Sequence, residues 1–183
     1  MREQIASLRH SQGGVVSDRQ TGQGVRIVDY RPHHHESFRA LNLAWITRYF
    51  SVEDADRQAL DDPETGILHP GGAIFMAEVD GELVGTCALL KCADRAYELA
   101  KMAVAPTAQG RGVGRALGEA AIVRARWLGA SRVELLSNTL LAPALALYRS
   151  LGFVEVPLPR TDYRRANIKM VLELSPSDDE RSG

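Results

Sequence analysis

The sequence predicts a single α/β domain of the α+β type, with a mostly antiparallel central sheet of six to seven strands. Three observations support this prediction. Two β-rich runs, at 73–79 and 82–90, flank Asp80-Gly81, a dipeptide typical of hairpin turns. An apolar run at 96–104 leads through a glycine-rich loop into a helical pattern. Two further short apolar runs follow near the end of the chain and supply the last strands.

The predicted elements follow one another with short connections. Apolar positions alternate at 25–29, as in a strand, and recur at helical spacing at 33–50, as in an amphipathic helix. Gly129 ends the long helix that follows the glycine loop, because glycine is favoured just after a helix. In order, the prediction gives a strand at 25–29, helices at 33–50 and 53–60, strands at 73–79, 82–90 and 97–104, a helix at 112–128, a strand at 132–136, a helix at 143–151, and strands at 153–156 and 168–174.

Length and composition set the limits of the domain. The chain has 183 residues, of which 45% are apolar, and this suits one soluble domain with a sizeable core. We expect the domain to span residues 25–174, between flexible polar tails at 1–24 and 175–183, which contain little to bury.

Charge and cysteine content exclude several classes of protein. A net charge of −1 argues against a nucleic-acid binder, and no apolar run approaches the ~20 residues of a membrane span. Cys87 and Cys92 lie at odd spacing in one predicted strand, so their side chains point to opposite faces and are expected to stay reduced. Because residues 1–24 contain no apolar leader, we expect a cytoplasmic protein. The protein is expected to be a monomer or a homodimer.

The loop from Gln109 to Arg115 has the composition of an anion site. The start of a helix leaves about four main-chain N–H groups without partners and carries a partial positive charge. Glycines at 110, 112 and 114 allow positive φ and close approach of an anion, and Arg111 adds charge at the mouth. The sequence therefore predicts that main-chain amides hold a diphosphate here.

Two other phosphate-binding patterns were considered. A Walker loop requires Lys and then Ser or Thr after its last glycine, whereas Arg115-Ala116 follow Gly114. A dinucleotide fingerprint is closer, because Gly112, Gly114 and Gly118 miss its spacing by one residue and Glu134 lies near the distance of the ribose-binding acid. It stays open as a competitor, although the turn at 106–110 is long for a tight strand-to-helix corner.

A third pattern fits better. Gln109-x-x-Gly112-x-Gly114 follows Met102-Ala103-Val104, and Asn138 and Tyr148-x-x-x-Gly152-Phe153 come later. This ordered set resembles the GNAT superfamily of acyl-CoA-dependent N-acetyltransferases, from about residue 25 to residue 174. The stretches 50–56, 71–75 and 137–139 look like a bacterial subgroup whose acceptors are largely unassigned. The resemblance implies the GNAT fold, with helices on both faces of a sheet splayed between its fourth and fifth strands.

The resemblance also implies where acetyl-CoA binds. Main-chain groups of the 102–104 strand would bond to the pantetheine arm, and the glycine loop would hold the diphosphate. Asn138 would hydrogen-bond the pantetheine or fix its own loop. The expected cofactor-binding residues are Met102, Ala103, Val104, Gln109, Gly110, Arg111, Gly112, Val113, Gly114, Arg115, Asn138 and Tyr148.

Two residues are implied as catalytic by their positions in the family pattern. Tyr148 is the candidate acid that protonates the departing thiolate, with packing on the sheet as its structural alternative. Glu98 is the candidate base that accepts the amine proton directly or through water, and burial would raise its pKa toward the working range. Ordered water acting without a protein base remains an alternative.

The acceptor site is expected between the first helices and the segment before the last strand. Its expected residues are Trp45, Tyr49, Phe50, Tyr163, Arg164 and Asn167. No metal is expected, because three consecutive residues, His33-His34-His35, cannot all face one ion on a helix. The function predicted is acetyl transfer from acetyl-CoA to a primary amine of a small molecule, amino acid or peptide, by direct attack in a ternary complex. A non-catalytic acyl-CoA sensor is the alternative.

Overall fold

A computed structural model describes residues 19–21, 24–92, 95–159 and 164–174, with main chain alone at 19–21. Of the predicted tails at 1–24 and 175–183, residues 1–18, 22–23 and 175–183 lie outside the described residues. The strands are β1 Arg19–Thr21, β2 Val25–Asp29, β3 Ala73–Val79, β4 Glu82–Lys91, β5 Ala96–Val104, β6 Arg132–Ser137, β7 Val154–Val156 and β8 Ile168–Glu173. The helices are α1 His35–Tyr49, α2 Asp54–Asp61, α3 Val113–Trp127 and α4 Ala142–Ser150. A π-helical turn, Glu64–Leu68, precedes β3, and 3₁₀ turns cover Pro32–His34 and Pro106–Ala108.

The strands form one mixed sheet in the order β1-β2-β3-β4-β5-β6-β8-β7. All neighbouring pairs are antiparallel except β5 and β6, which are parallel. The α/β prediction with a mostly antiparallel sheet is confirmed. This topology also removes the dinucleotide alternative, which requires a mostly parallel sheet.

Helices cover both faces of the sheet, as predicted. α3 and α4 pack on one face, in a core that includes Phe75, Leu117 and Leu145. α1 and α2 pack on the other face, in a core that includes Phe38 and Met76. Because neighbouring residues of β3 enter different cores, the strand is continuously apolar from Ala73 to Ala77 rather than alternating.

The structure departs from the predicted elements at two places near the N-terminus. The strand β1 pairs with β2 and brings the sheet to eight strands, although its residues were assigned to the tail. The first helix begins at His35, after the 3₁₀ turn, and His34 is buried rather than solvated. The Nδ1 atom of His34 accepts a hydrogen bond from the Arg31 N–H at 3.1 Å, so this side chain stabilises the turn.

Gly72 is expected to be essential for stability. A Cβ atom at this position would lie 2.3 Å from the Leu89 carbonyl oxygen and 2.5 Å from that of Ile67. Main-chain atoms cannot move aside as a flexible side chain can, so we expect Gly72→Ala to lower the free energy of unfolding by about 2–3 kcal/mol. Urea denaturation followed by tryptophan fluorescence would measure the change. Gly66→Ala is the control, because the nearest atom to its Cβ is 3.7 Å away; equal midpoints for the two variants would contradict the expectation.

The cysteines and the helices bear on two expectations from the sequence, reduced thiols and the absence of a membrane span. Both cysteines are unpaired, Cys87 in the core and Cys92 half-buried after β4. No helix in the described ranges is both long and apolar enough to cross a bilayer.

Candidate active site

The parallel strands β5 and β6 separate partway along their length. Their pairing begins at Ala96 and Arg132 and ends at Glu98 and Glu134, although β5 continues to Val104 and β6 to Ser137. The fourth and fifth predicted strands, at 97–104 and 132–136, correspond to β5 and β6, so the separation lies where the splay was expected. A cleft occupies the gap and is lined by residues from both faces of the sheet. Tyr148 of α4 lines it from one face, and α1 and α2 line it from the other.

A β-bulge in β5 shapes one wall of the cleft. Lys101 and Met102 stand opposite the single residue Cys87 of β4, and Lys101 has φ of 51°. Beyond the bulge, the Ala105 N–H bonds to β4. Because successive residues of a strand direct their main-chain groups to opposite edges, those of Val104 and Met102 face the gap. The main-chain groups of Ala103 face β4. Ala103 was expected to bond to the pantetheine arm, but its main chain supports the strand instead.

The start of α3 fits a diphosphate. The first main-chain hydrogen bond of the helix runs from Ala116 to Gly112, at 3.0 Å. The N–H groups from Gly110 to Arg115 therefore have no main-chain acceptor among the described residues. Gly110 and Gly112 both have positive φ, 76° and 77°, and a Cβ at Gly110 would meet open space. The residues present thus form a cradle of main-chain donors with room for an anion.

The other glycines of the motif have a different role. A Cβ at Gly114 would lie 3.1 Å from Leu147, and one at Gly118 would lie 2.5 Å from Leu151. Both leucines belong to or adjoin α4, so these glycines permit close packing of α3 against α4. From the sequence, Gly114 was expected only to allow close approach of an anion. Its role in helix packing was not predicted.

Polar side chains surround the loop. Arg111 lies 3.5 Å from Asp80 of the β3–β4 turn and is half exposed. Arg115 donates to Ser150 of α4 at 2.8 Å and lies 3.5 Å from Glu119. Gln109 donates to the Val104 carbonyl at 3.4 Å, which ties the loop to the cleft edge of β5. Val113 is buried, and its side chain packs closely against Gly85 of β4.

Tyr148 reaches the edge of the cleft that Met102 forms. Its hydroxyl lies 3.9 Å from the Met102 sulfur, and its ring contacts Phe153 edge-on. Burial raises the pKa of Tyr148 to about 12, with the nearby Cys87 as a smaller cause. The hydroxyl is therefore protonated throughout the ordinary working range and can donate a hydrogen bond into the cleft.

Glu98 lies at the last paired position before the strands separate, and it lines the cleft. Burial raises its pKa above the ordinary value; Glu134 raises it further, whereas Lys101 and Lys169 oppose the shift. Lys169 Nζ lies 3.0 Å from the Glu134 carboxylate, which partly compensates that second negative charge. A half-buried carboxyl with a raised pKa is better suited than an exposed one to accept a proton from an amine.

A buried ion-pair cluster lies beside the cleft. Asp56 is fully buried and its carboxylate contacts Lys101 Nζ at 3.0 Å and the guanidinium of Arg165 at 2.6 and 2.8 Å. The pKa of Asp56 is lowered to about 2: its hydrogen bond to Arg165 and the charge of Lys101 outweigh burial, which by itself is the largest effect and acts in the opposite direction. Neither Asp56 nor Lys101 was singled out from sequence, because nothing in the pattern links them.

Two of the predicted acceptor residues, Arg164 and Asn167, are not among the residues that line the cleft. Asn167 is exposed and bonds to Thr139 through both its amide oxygen and its amide nitrogen, at 2.8 and 2.9 Å. Arg164 is exposed, and its N–H donates to Glu53 at 3.3 Å. Tyr163 lies outside the described residues. Asn167 and Arg164 thus hold the segment before β8 in place, and a direct contact of either with the acceptor stays a prediction.

The three aromatic residues predicted for the acceptor site divide between two surfaces. Trp45 and Phe50 line the cleft, with ring centroids 6.0 Å apart. Tyr49 is 45% exposed and lines a separate groove between α1 and the end of β5, which also includes Trp45. Asn138 also lines the cleft, but its side chain donates to the Arg165 carbonyl at 2.6 Å and accepts from the Leu140 N–H at 2.9 Å. Of the two roles expected for Asn138, fixing the loop is the one with direct contacts.

The geometry defines a class of protein. An open strand edge suits an extended ligand that bears amides, and the donor-rich helix start beside it suits a diphosphate. A ligand that combines both features is an acyl-coenzyme A, and the cleft offers a carboxyl and a phenol beside the place for its thioester. The chain therefore has the architecture of an acyl-CoA-dependent transferase.

Comparison with known proteins identifies the family. The model described as the acetyltransferase (GNAT) domain matches residues 70–155. The uncharacterized N-acetyltransferase YjgM of Escherichia coli (strain K12) is 33% identical over 146 residues, which cover 72% of this chain and 87% of that protein. The chain therefore belongs to the GNAT family and is an acetyl-CoA-dependent acetyltransferase, as the sequence predicted.

Solved structures agree on the fold. A GNAT-family acetyltransferase from Staphylococcus aureus Mu50 superposes with a TM-score of 0.76 at 20% identity, over 82% of this chain and 99% of that one. An acetyltransferase from Bacillus subtilis, solved in complex with CoA, superposes with a TM-score of 0.64 at 22% identity, over 82% and 99%.

Proposed function

We propose that this acetyltransferase moves the acetyl group from acetyl-CoA to a primary amine of a small molecule, an amino acid or a peptide, by direct attack within a ternary complex. The observation that carries the proposal is the cleft that crosses the sheet at the gap between β5 and β6. Because residues from both faces of the sheet line this cleft, cofactor and acceptor would approach from opposite faces and meet at the gap, so no covalent acyl-enzyme is needed.

The chain's own residues would hold the cofactor along one line. Main-chain donors from Gly110 to Arg115 bind the diphosphate, and the exposed edge at Met102 and Val104 bonds to the pantetheine arm. When bound, acetyl-CoA supplies an activated thioester. The main-chain N–H groups that face the gap are donors suited to polarise its carbonyl oxygen.

Two side chains would manage the protons of the reaction. Glu98 takes a proton from the incoming ammonium, directly or through water, because its raised pKa lies closer to neutral pH than that of an exposed glutamate. Tyr148 donates its hydroxyl proton in a hydrogen bond to the sulfur on which negative charge develops. Trp45 and Phe50 form the apolar wall against which the acceptor packs.

A binding test and an activity test together examine the proposal. Thermal denaturation with and without ligand is expected to show stabilisation by acetyl-CoA but not by NAD or NADP, since a ligand stabilises a fold that it binds. A panel of primary amines, amino acids and short peptides, assayed by release of free thiol, should reveal amine-dependent turnover. If acetyl-CoA stabilises the fold but no amine in the panel is acetylated, the proposed transfer to a primary amine would be wrong.

The pH dependence of the reaction is expected to follow Glu98. The base works only when ionised, so kcat/KM should fall as the pH drops through its raised pKa, and the acid limb should lie above the range of an exposed glutamate. Glu98→Gln should lower kcat/KM at neutral pH about 100-fold and abolish that limb. An acid limb that survives Glu98→Gln would assign the proton to another group.

A second variant tests the charges that face Glu98, namely Lys101, Glu134, Lys169 and the half-buried Cys92. Lys169→Met leaves Glu134 without its 3.0 Å partner, so the pKa of Glu98 should rise and the acid limb should move to higher pH. Arg132→Met is the control, because Arg132 is more exposed and lies 3.6 Å from Glu134. A limb that moves to lower pH in Lys169→Met would contradict this account.

A further inference from the structure

Asp56 contacts residues from both sides of the cleft. Its carboxylate binds Lys101 of β5 at 3.0 Å and Arg165, just before β8, through two hydrogen bonds. It also accepts the Glu53 N–H at 3.1 Å, at the start of α2. A buried carboxylate with two cationic partners and a main-chain donor fixes the relative positions of all three segments.

Lys101 has an unusual conformation for its residue type. It is the bulged residue of β5, and its φ of 51° places it in the left-handed region that glycine adopts most readily. A lysine at such a position is held by its surroundings rather than by its own preference. Its side chain is 5% exposed, and its Nζ atom bonds to Asp56. The next residue, Met102, contributes main-chain groups to the gap.

The opposite side of the cluster controls the segment before β8. Arg165 lies 3.6 Å from Glu53 as well as being bound to Asp56, and its guanidinium lies 5.9 Å from the centre of the Phe50 ring. Its carbonyl accepts the Asn138 amide at 2.6 Å. This segment therefore joins α2 to the loop after β6, on the side of the cleft where the acceptor is proposed to enter.

We propose that Asp56 is a positioning residue that acts through Lys101 and Arg165: it holds the β5 bulge in the conformation that binds the pantetheine arm, and it fixes the acceptor-side segment before β8. The inference rests on the proposed function for the identity of the two sites. One carboxylate thus sets the geometry of the cofactor edge and of the acceptor wall together.

The decisive experiment compares two substitutions of Lys101. Lys101→Gly removes the ion pair but adopts the left-handed conformation without strain, whereas Lys101→Met removes the ion pair and keeps the strain. We expect Lys101→Met to raise the dissociation constant of acetyl-CoA about tenfold, equivalent to about 1.4 kcal/mol. Lys101→Gly should stay within about twofold of the wild type. Titration calorimetry of the full chain would measure both constants.

A second set of variants separates the two sides of the cluster. Asp56→Asn should weaken acetyl-CoA binding as Lys101→Met does, and should speed amide hydrogen exchange at 164–167, because Arg165 loses its charged partner. Adding Lys101→Gly to Asp56→Asn should restore the affinity for acetyl-CoA but leave that exchange fast. Asp61→Asn is the matched control, because it removes a carboxylate of the same helix α2 and breaks only an exposed ion pair, with Arg39 of α1 at 2.8 Å.

Each outcome decides the inference. Equal affinities of Lys101→Met and Lys101→Gly for acetyl-CoA, whether both strong or both weak, would overturn it. So would failure of Lys101→Gly to rescue affinity in the double variant. A wild-type chain that binds no acetyl-CoA would instead contradict the proposed function. The two failures are therefore distinguishable, and the Lys101 comparison remains informative even if Asp56→Asn does not fold.

Discussion

Tyr148→Phe is expected to lower kcat by about 100-fold, at the low end of the range for a general acid, while the dissociation constant of acetyl-CoA stays within about twofold. The hydroxyl lies beside Met102 at the cofactor edge, and its pKa of about 12 keeps it protonated. That pKa is higher than that of a typical thiol, about 8.5, so complete proton transfer to a thiolate is uphill. The hydroxyl therefore stabilises the developing charge mainly by hydrogen bonding.

Steady-state kinetics with saturating amine, together with titration calorimetry for acetyl-CoA, would measure the two effects of Tyr148→Phe separately. Tyr30→Phe is the control for loss of a phenol hydroxyl, because Tyr30 packs against His34 and Phe38, outside the cleft. A turnover like that of the wild type would remove Tyr148 from the mechanism, and a large loss of affinity would make it a binding residue instead.

Gly112→Glu is expected to weaken acetyl-CoA binding by more than about 100-fold while the protein remains folded. The new carboxylate would occupy the helix start where the donors are free, and would repel a diphosphate. An acidic side chain at a helix N-terminus is itself favourable, which offsets part of the strain of a non-glycine residue at φ of 77°. Titration calorimetry measures the affinity, and circular dichroism checks the fold.

Two control variants separate charge from strain in that experiment. Gly112→Ala introduces the strain without the charge, so it should weaken binding far less than Gly112→Glu. Gly129→Glu places the same side chain in a similar conformation, φ of 72°, at the other end of α3, with open space for its Cβ. If Gly112→Glu binds acetyl-CoA as tightly as the wild type, main-chain donors of this loop do not hold the diphosphate.

The strand, glycine loop and helix at 96–128 could be predicted because their determinants are local. A strand pattern, positive-φ glycines and a helix start follow one another in the chain, and each is recognisable within a few residues. Glu98 and Tyr148 were instead implied by the resemblance to the GNAT superfamily, through their positions before Met102 and before Gly152-Phe153. The structure places both side chains on one cleft.

The acceptor side could not be predicted in this way, because its contacts link distant parts of the chain. Asp56 is 45 residues from Lys101 and 109 residues from Arg165, and no periodic pattern connects them. For the same reason the loop-holding contacts of Arg164 and Asn167 could not be predicted. A polar residue near a site can either face the ligand or hold a loop, and sequence alone does not distinguish the two.

The glycine motif shows a subtler limit. Gly110 and Gly112 were correctly associated with positive φ, but the requirement at Gly114 and Gly118 is set by Leu147 and Leu151, which lie far along the chain. Absence of a side chain has several possible causes, and the partner that occupies the space determines which one applies.

The contact between α3 and α4 through Gly114 and Gly118 affects how accurately acetyl-CoA would be positioned. In the proposed complex, the start of α3 binds the diphosphate and the Tyr148 hydroxyl of α4 faces the thioester sulfur. The distance between these two binding points is then set by the packing of Leu147 and Leu151 against the two glycines, rather than by a loop.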